Sequence, residues 1–559
     1  MIDQLKEKII EAIKKAGYNV PEGFGLEAPT NESFGDFSTN VAMTIAGKEK
    51  KDPKEVAEKI IENFSDKKIA SLEIAGKGFI NIKLTDDFFH LVLAEILSSG
   101  EQFGKDDSGK GKKANVEFIS ANPTGPLHIG NARGGPIGEV ISNVFFWQGY
   151  DVKKEFYIND TGNQIKKFGE TLAYWYIIKH DENFHFPEGG YPGDFLKEVS
   201  EEIQKEQAKE IEELKDDELV AFFMRNGLEK TMRRIKEDIE TLGINFDQFV
   251  YESDLLNSGK SSEVVEKLKE DGHTSDREGA LWFVSNDLDP NDRETVLLRS
   301  DADKTPTYFS SDIAYHKEKF AQGNDLIVDV WGANHHGHIA RLSSALQVLG
   351  LDISKFKVLL YQNVRLKEGG ETKQMGKRLG NFINIADLVG KLKVPVDVFK
   401  VMIINQSSNS IIDFDLDLAL EQSEKNPVFY LQYAYARICS VLRKADADLL
   451  SEVEKIARGE QAIAPGELEI LTDKKEKKLI KTIAGLPEVL KTVSGELQVQ
   501  ALPHFATEIA REYHNFYADC IILTDDKKRT KARLLLALAT RNVLKISLTL
   551  MGISAPEKM

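Results

Sequence analysis

The stretch NVEFISANPTGPLHIGN, residues 115–131, decides how this chain is read. Residues 115–119 form a short apolar run, the turn-rich SANPTGP follows, and from about 131 to 147 apolar residues recur at helical spacing until Gly149 stops them. A further strand-like run at 152–158 completes one βαβ unit of a nucleotide-binding sheet. Pro126, Leu127, His128, Ile129, Gly130 and Asn131 therefore sit where a strand gives way to a helix. A helix start presents unpaired N–H groups and the positive end of the dipole, so phosphates bind there readily. Gly125 and Gly130 would let a large ligand approach the backbone, and His128 can donate to phosphate oxygens that gain charge during displacement. A lone His at a helix start is more often a cap or a packing residue, but the flanking glycines and the strand-to-helix position favour function.

Working outward, the stretch DDSGKGKK at 106–113 is polar and glycine-bearing like a linker, and it separates residues 1–108 from the rest. That leading part mixes helical runs (2–16, 53–64, 87–98) with strand-like runs (69–74, 79–84), which predicts a small α+β domain. Beyond the βαβ unit, residues 194–242 turn highly charged with apolar residues three and four apart. They predict a helical insertion with solvated faces, placed at about 165–280. Strand-like runs at 280–284, 295–298, 326–330 and 357–361 alternate with helices at 312–320 and 338–349, so an α/β domain extends over 109–420. Residues 421–559 carry helical periodicity without strands and predict an all-α bundle.

Composition sets limits. The 559 residues include 73 Lys and Arg against 90 Asp and Glu, a net charge of -17 that by itself argues against an electrostatic nucleic-acid binder. Residues 425–559, however, hold 21 basic and 17 acidic side chains, a local +4 against -21 for residues 1–424. Hydrophobic residues make up 41%, in short runs, which excludes a mainly disordered chain, and nothing approaches the ~20 apolar residues of a membrane span. Two cysteines, Cys439 and Cys520, are too few for a disulfide framework or a cysteine metal site and suit a reducing, cytoplasmic setting.

A second chemical feature lies in KEGGETKQMGKRLGNF, residues 367–382, where Met375, Gly376, Lys377 and Arg378 follow Gln374. Adjacent cations on a glycine-rich loop can close over a triphosphate and neutralise departing pyrophosphate, although a Lys-Arg pair alone is usually surface decoration. Together, in this order, HIGN and MGKR resemble the two signatures of the class I aminoacyl-tRNA synthetases, usually written HIGH and KMSKS. The surrounding segments FISANPTGPLHIGNARGG (118–135), YDVKKEFYINDTGNQI (150–165), DVWGANHHGHIARL (329–342), NPVFYLQYAYARICSVLRKA (426–445) and MGISAPEKM (551–559) resemble the bacterial arginyl-tRNA synthetases. So does the long run at 280–320, while NESFGDFSTNVAM (31–43) resembles that family's leading domain. The resemblance implies a class I Rossmann-type catalytic domain with a helical insertion, preceded by a small α+β domain that contacts tRNA and followed by an all-α anticodon-binding bundle.

It also implies an arginine pocket. TYFSSDIAYH (307–316) sets Tyr308 and Asp312 one helical turn apart. Arginine's guanidinium is a planar fork that a carboxylate takes with two parallel bonds and an aromatic ring can cover. Asn122 would bond the amino acid's α-amino or carboxylate group, Asn334 and His335 would line the same pocket, and either Asp151 or Glu155 could add a carboxylate. His335, His336 and His338 invite a metal reading, but no HExxH-like partner accompanies them, so pocket lining is preferred and no protein-bound zinc is expected.

The implied chemistry needs ATP with Mg²⁺, L-arginine and the tRNA for arginine. The arginine carboxylate attacks the α-phosphate, with His128, Asn131, Lys377 and Arg378 stabilising charge, and the arginyl group then passes to the 2'-hydroxyl of the terminal tRNA adenosine. Asn131 replaces the last His of the first signature and Gln374 the first Lys of the second. Those departures motivate a non-catalytic tRNA-binding paralogue as one rival, and a small-molecule nucleotidyltransferase is the other. In the C-terminal part, Tyr433, Arg437, Arg443 and Lys444, with Tyr435, Tyr513, Phe516 and Tyr517, supply the aromatic faces and cations that unstacked anticodon bases need, though each aromatic singly is more often core.

Overall fold

The computed structural model describes residues 2–21, 24–27, 29, 31–285, 295–301, 304–373 and 383–559. Its centre is a five-stranded parallel sheet: β1 (Lys113–Glu117), β2 (Asp151–Ile158), β3 (Gln248–Tyr251), β4 (Leu326–Gly332) and β5 (Phe356–Tyr361), in the spatial order β5-β4-β1-β2-β3. The chain runs outward from β1 to β2 and β3 on one side, then returns to lay β4 and β5 on the other. The strand order therefore reverses between β1 and β4, and such a reversal opens a crevice at the carboxyl ends of the strands. Val116 and Ala114 of β1 are wholly buried, as a parallel sheet covered on both faces requires.

Helix α1 (Gly134–Trp147) carries the chain from β1 to β2. It lies close to the sheet because Gly138 leaves room for Phe118; a Cβ there would stand 2.1 Å from the ring. Two residues upstream of Gly135, the guanidinium of Arg133 is fully buried and donates to the carbonyls of Gln362 (2.6 Å), Ser410 (2.8 Å), Ser407 (3.0 Å) and Ser408 (3.2 Å). Burial lowers its pKa to about 10, yet it stays charged, and one side chain ties the start of α1 to two loops of the sheet's far side.

The leading α+β unit is a four-stranded antiparallel sheet, ordered Leu26–Glu27, Phe37–Thr39, Phe79–Leu84, Ile69–Ala75, with helices Ile2–Lys15, Val41–Glu49, Pro53–Glu62 and Asp86–Ser99. The helical insertion builds a core of its own around Phe168, Leu172, Val199, Ile203 and Phe223, with α2 (Asp216–Thr241) as its longest member. One correction concerns its extent. Residues 248–251 fall inside the expected 165–280 insertion but form β3, paired in parallel with β2 from Glu155 to Ile158. Four half-buried residues (QFVY) behind a long charged helix carry too little periodicity to announce a strand.

Helix α3 (Tyr308–Ala321) and α4 (His336–Val348) flank β4, and α5 (Val396–Ile404) leads to the C-terminal bundle. The bundle contains α6 (Pro427–Arg443), α7 (Ala501–Asp519) and α8 (Lys527–Leu550). Between α7 and α8 the helical periodicity is broken at Cys520, and Asp526 restarts the helix by accepting from the N–H groups of Lys528 and Arg529. The bundle is clamped to the catalytic sheet by Lys400, buried on α5, which pairs with Glu139 of α1 at 2.9 Å and donates to the Gly552 carbonyl at 2.8 Å.

Candidate active site

A cavity of about 590 Å³ opens at the β1–β4 reversal. Its floor is the turn after β1, Ile119 to Asn122, and the end of β4, Val330 to Gly332. Ile119 (φ +68°) and Ser120 (φ +41°) both adopt left-handed backbone, a strained conformation for L side chains. The Ser120 hydroxyl fixes the turn by donating to Glu117 at 2.9 Å and accepting from the Tyr157 N–H at 3.1 Å.

Seven of the residues singled out above line this cavity: Asn122, Asn131, Tyr308, Asp312, Asn334, His335 and His338. Asn122 donates to the Gln164 side chain at 3.0 Å. Asp312 faces His338 across 2.8 Å. Tyr308, one turn before it on α3, is 60% exposed, so its ring stands as a free wall. That wall divides the cavity from a second one of about 490 Å³, which shares Asn159, Gln164 and Tyr308 and contains Glu252.

Glu252 escaped the sequence reading. It is 2% exposed, and its carboxyl is pushed up to about 7, first by burial and then by the negative charge of Asp312, while hydrogen bonds from Thr161 and Ser311 oppose the rise. Two carboxylates thus lie in adjoining cavities on either side of Tyr308, Asp312 against His338 and Glu252 in a cavity also lined by Lys166 and Arg299. Nothing in the residues around 252 (VYESDLL) marks that glutamate, because its significance comes from a partner 60 positions away.

Asp151 and Glu155 do not reach the cavity. Asp151 is exposed at the start of β2, the end of a parallel strand opposite the crevice. Glu155 is fully buried beneath it, accepting from the Tyr315 hydroxyl at 3.0 Å and pairing with Lys153 at 2.8 Å. Burial alone would raise its carboxyl, yet Lys319 and Lys153 hold it below its ordinary range. Lys319 is the centre of that layer, bonded to Glu117 at 2.7 Å and Asp329 at 2.8 Å, with His316 against Asp329 at 2.7 Å. Glu117, His316 and Asp329 have the spacing of a metal-ligand group, but the Lys319 ammonium already bridges two of the three.

The HIGN turn is built differently from the sequence expectation in one respect. Pro126 and Gly125 are buried, with open space where a Gly125 Cβ would point. Gly130, by contrast, makes room for His128, whose ring would lie 3.0 Å from a Cβ. Nδ1 of His128 accepts from the Asn131 N–H at 3.2 Å and caps the helical turn Ile129–Ala132. The cap leaves Nε2 as the ring's other hydrogen-bonding atom. Met375, Gly376, Lys377 and Arg378 lie outside the described residues. The chain that follows them is described: the Ile129 N–H donates to the Ile383 carbonyl (3.0 Å) and the Ile385 N–H to the Leu127 carbonyl (2.9 Å), with His128 bridged to Asn384. Residues 383–385 are therefore stitched to the first signature.

In the bundle, Arg437 lies over the rings of Tyr433 (5.6 Å) and Tyr517 (4.5 Å) and contacts His514 at 3.3 Å. Tyr433 and Tyr517 are 43% and 37% exposed, whereas Tyr435, Tyr513 and Phe516 are core. Arg443 turns instead to Glu557, donating to its carbonyl at 3.1 Å, and Lys444 is exposed at the end of α6.

Three family models match the chain: the arginyl-tRNA synthetase N-terminal domain over residues 3–84, the class I (R) tRNA synthetase catalytic domain over 92–415, and the DALR anticodon-binding domain over 431–559. An arginine–tRNA ligase of Oceanobacillus iheyensis is 37% identical over 560 residues, covering 100% of this chain and 98% of its own. One from Carboxydothermus hydrogenoformans is 38% identical over 554 residues, covering 98% and 97%. Among solved structures, Thermus thermophilus arginyl-tRNA synthetase superposes with a TM-score of 0.78 at 20% identity over the whole of both chains, a likeness of fold. Among the described residues no helix is long and apolar enough to cross a membrane.

Proposed function

The chain belongs to the arginyl-tRNA synthetase family, and on that premise we infer that it is an ATP-dependent arginine–tRNA ligase whose amino-acid pocket is the cleft between Asp312 and Glu252. The observation that carries the pocket is the convergence of those two carboxylates on opposite sides of Tyr308, one of them raised to about 7 by burial and by the other's charge. A site with two carboxyl groups and an exposed aromatic wall is complementary to a guanidinium. Lysine offers a point charge without the planar fork, and citrulline offers the shape without the charge.

ATP, as its magnesium complex, occupies the crevice between the HIGN turn and the MGKR loop. The arginine carboxylate, held by Asn122, attacks the α-phosphate in line; the bond to pyrophosphate breaks, giving arginyl-adenylate. The tRNA's terminal ribose hydroxyl then attacks the acyl carbon and AMP leaves. No protein nucleophile is required: the chain positions the reactants and stabilises charge on the phosphates through His128, Asn131, Lys377 and Arg378. Since Nδ1 of His128 accepts from the backbone, Nε2 carries the proton and can donate it to a phosphate oxygen.

A titration tests the pocket. A bound guanidinium favours the ionised form of Glu252, which in the free protein takes up its proton near pH 7. Arginine binding below that pH must therefore expel a proton, and affinity rises between pH 6 and 8, then levels. Calorimetry in two buffers of different ionisation enthalpy should show close to one proton released at pH 6 and none at pH 8.5, with Glu252→Gln showing neither release nor pH dependence. Flat affinity in the wild type removes Glu252 from the pocket.

The bundle reads the tRNA through the platform of Tyr433, Arg437 and Tyr517, with Lys444 at its edge, and the leading α+β domain supplies a further tRNA contact. Replacing Arg437 with Ala should weaken tRNA binding by about 1–2 kcal/mol, roughly 5- to 30-fold, from loss of one stacking cation. Filter binding measures it, and arginine affinity should not move. Unchanged tRNA affinity would take the platform out of the interface.

A further inference from the structure

We propose that Asp238 is a positioning residue for adenylate formation, holding the HIGN turn and the chain immediately beyond the second signature in one fixed register. The inference rests on the functional reading above and adds to it a residue that touches neither substrate. Asp238 lies near the end of α2, in the helical insertion, and is 5% exposed. Its carboxylate accepts from the Leu127 N–H at 3.3 Å, the residue before His128, and also from the N–H of Ala386. Leu127 and Ile385 are themselves joined by a backbone hydrogen bond, as are Ile129 and Ile383. One buried carboxylate therefore closes the end of a short backbone ladder whose two sides come from the two signature segments, 111 and 148 residues away in sequence from each other's anchor on α2.

A neutral side chain cannot do this equally well. Ionised Asp is acceptor-only on both oxygens and its charge strengthens each bond, whereas Asn is neutral and replaces one of the two oxygens with an NH₂. Holding the carboxylate there is costly. Burial, with smaller contributions from Glu237 on the same helix and Asp387 on the following segment, pushes its carboxyl up to about 7 against the two backbone hydrogen bonds. Asp387 is paired with Lys391 at 2.7 Å, and His128 is the titratable group of the turn itself. A carboxyl whose folded pKa lies above its unfolded value loses stability as pH rises through that interval, so near pH 8 ionised Asp238 weakens the fold. A residue kept for packing alone would be better neutral; a carboxylate kept to accept two specific N–H groups binds them more strongly when charged.

The test compares full-length wild type and Asp238→Asn in arginine-dependent pyrophosphate exchange with tRNA present, together with thermal unfolding. At pH 8 the variant should be slower by about tenfold or more, with arginine KM unchanged and with Tm equal to or above wild type. As pH falls toward 6, wild type should lose its advantage as its own carboxyl takes up a proton, and the ratio of the two rates should shrink. Equal rates at pH 8, a ratio independent of pH, or a slower rate matched by a lower Tm would overturn the proposal. Wild type without arginine-dependent exchange would overturn the functional reading and this inference together, whereas active wild type with an equally active variant overturns this inference alone.

Discussion

Asp312→Asn should raise the arginine KM by two to three orders of magnitude while the ATP KM holds. The substitution keeps the size of the side chain and its place one turn beyond Tyr308, so shape is preserved. What it removes is the charge and one acceptor facing the guanidinium. A charged hydrogen bond contributes about 1.5–3 kcal/mol, and leaving its buried partner ion without compensation costs up to ~3–5 kcal/mol, so a loss of about 3–4 kcal/mol is expected. Glu252 makes the effect informative rather than total, since the neighbouring carboxylate still attracts the cation. Its own titration should change as well: with Asp312 neutral, the charge that helps to raise Glu252 is gone, and the pH dependence of arginine affinity should shift to lower pH. Pyrophosphate exchange across arginine concentrations, with tRNA present, reads the first effect, and calorimetry reads the second. An unchanged arginine KM would place Asp312 outside the pocket.

Lys377→Ala has the other large effect, on a different step. The negative charge that builds on the departing pyrophosphate needs cations, and removing one preorganised donor at such a position lowers the chemical rate by about 10²–10³-fold. Arginine affinity and tRNA affinity should stay close to wild type, because the residue is assigned to phosphate alone. Residues 374–382 lie outside the described structure, but the chain rejoins it at Ile383, hydrogen bonded to the residue directly after His128. Single-turnover formation of arginyl-adenylate measures the step, and a rate equal to wild type would end the assignment of this loop to catalysis. With Gln374 in place of the usual first lysine, Lys377 and Arg378 are the two cations this mechanism assigns to the phosphates, so a single alanine should be damaging.

What the sequence disclosed and what it hid divide along a physical line. Local patterns were legible: the strand-to-helix turn at 115–131 and the all-helical C-terminal part; Tyr308 and Asp312 stood out through the family resemblance, and which C-terminal aromatics face outward was not legible. Glu252 and Asp238 were not, because each matters through a partner brought to it by the sheet and the insertion. Asp151 and Glu155 illustrate the same limit from the other side. Both are acidic and both lie on β2, but whether a strand residue sits at the crevice end, the far end or under the floor depends on register against β1, which no single strand encodes. Gly130 is the subtler case. Its lack of a side chain also makes room for the imidazole of His128, 3.0 Å from where a Cβ would stand, a contact the sequence does not announce. The left-handed backbone at Ile119 and Ser120 has no sequence mark at all, since neither residue favours it.

Charge shows how function is distributed over the fold. The overall -17 speaks against a nucleic-acid partner, whereas the last 135 residues are net basic and carry the stacked arginine and tyrosines on their surface. The acidic body suits a cationic amino acid, and the bundle suits tRNA. Lys400, buried between Glu139 on α1 and the carbonyl of Gly552, joins the two parts directly beneath the helix that starts at the HIGN turn.

The central claim is that this chain, with Asn131 and Gln374 at two signature positions, esterifies tRNA with arginine. Incubating the purified full-length protein with labelled arginine, ATP, Mg²⁺ and the tRNA for arginine tests it in one step. Acid-precipitable label should accumulate with arginine but not with lysine or citrulline, and should vanish without ATP. Tight tRNA binding with no transferred label would contradict the claim.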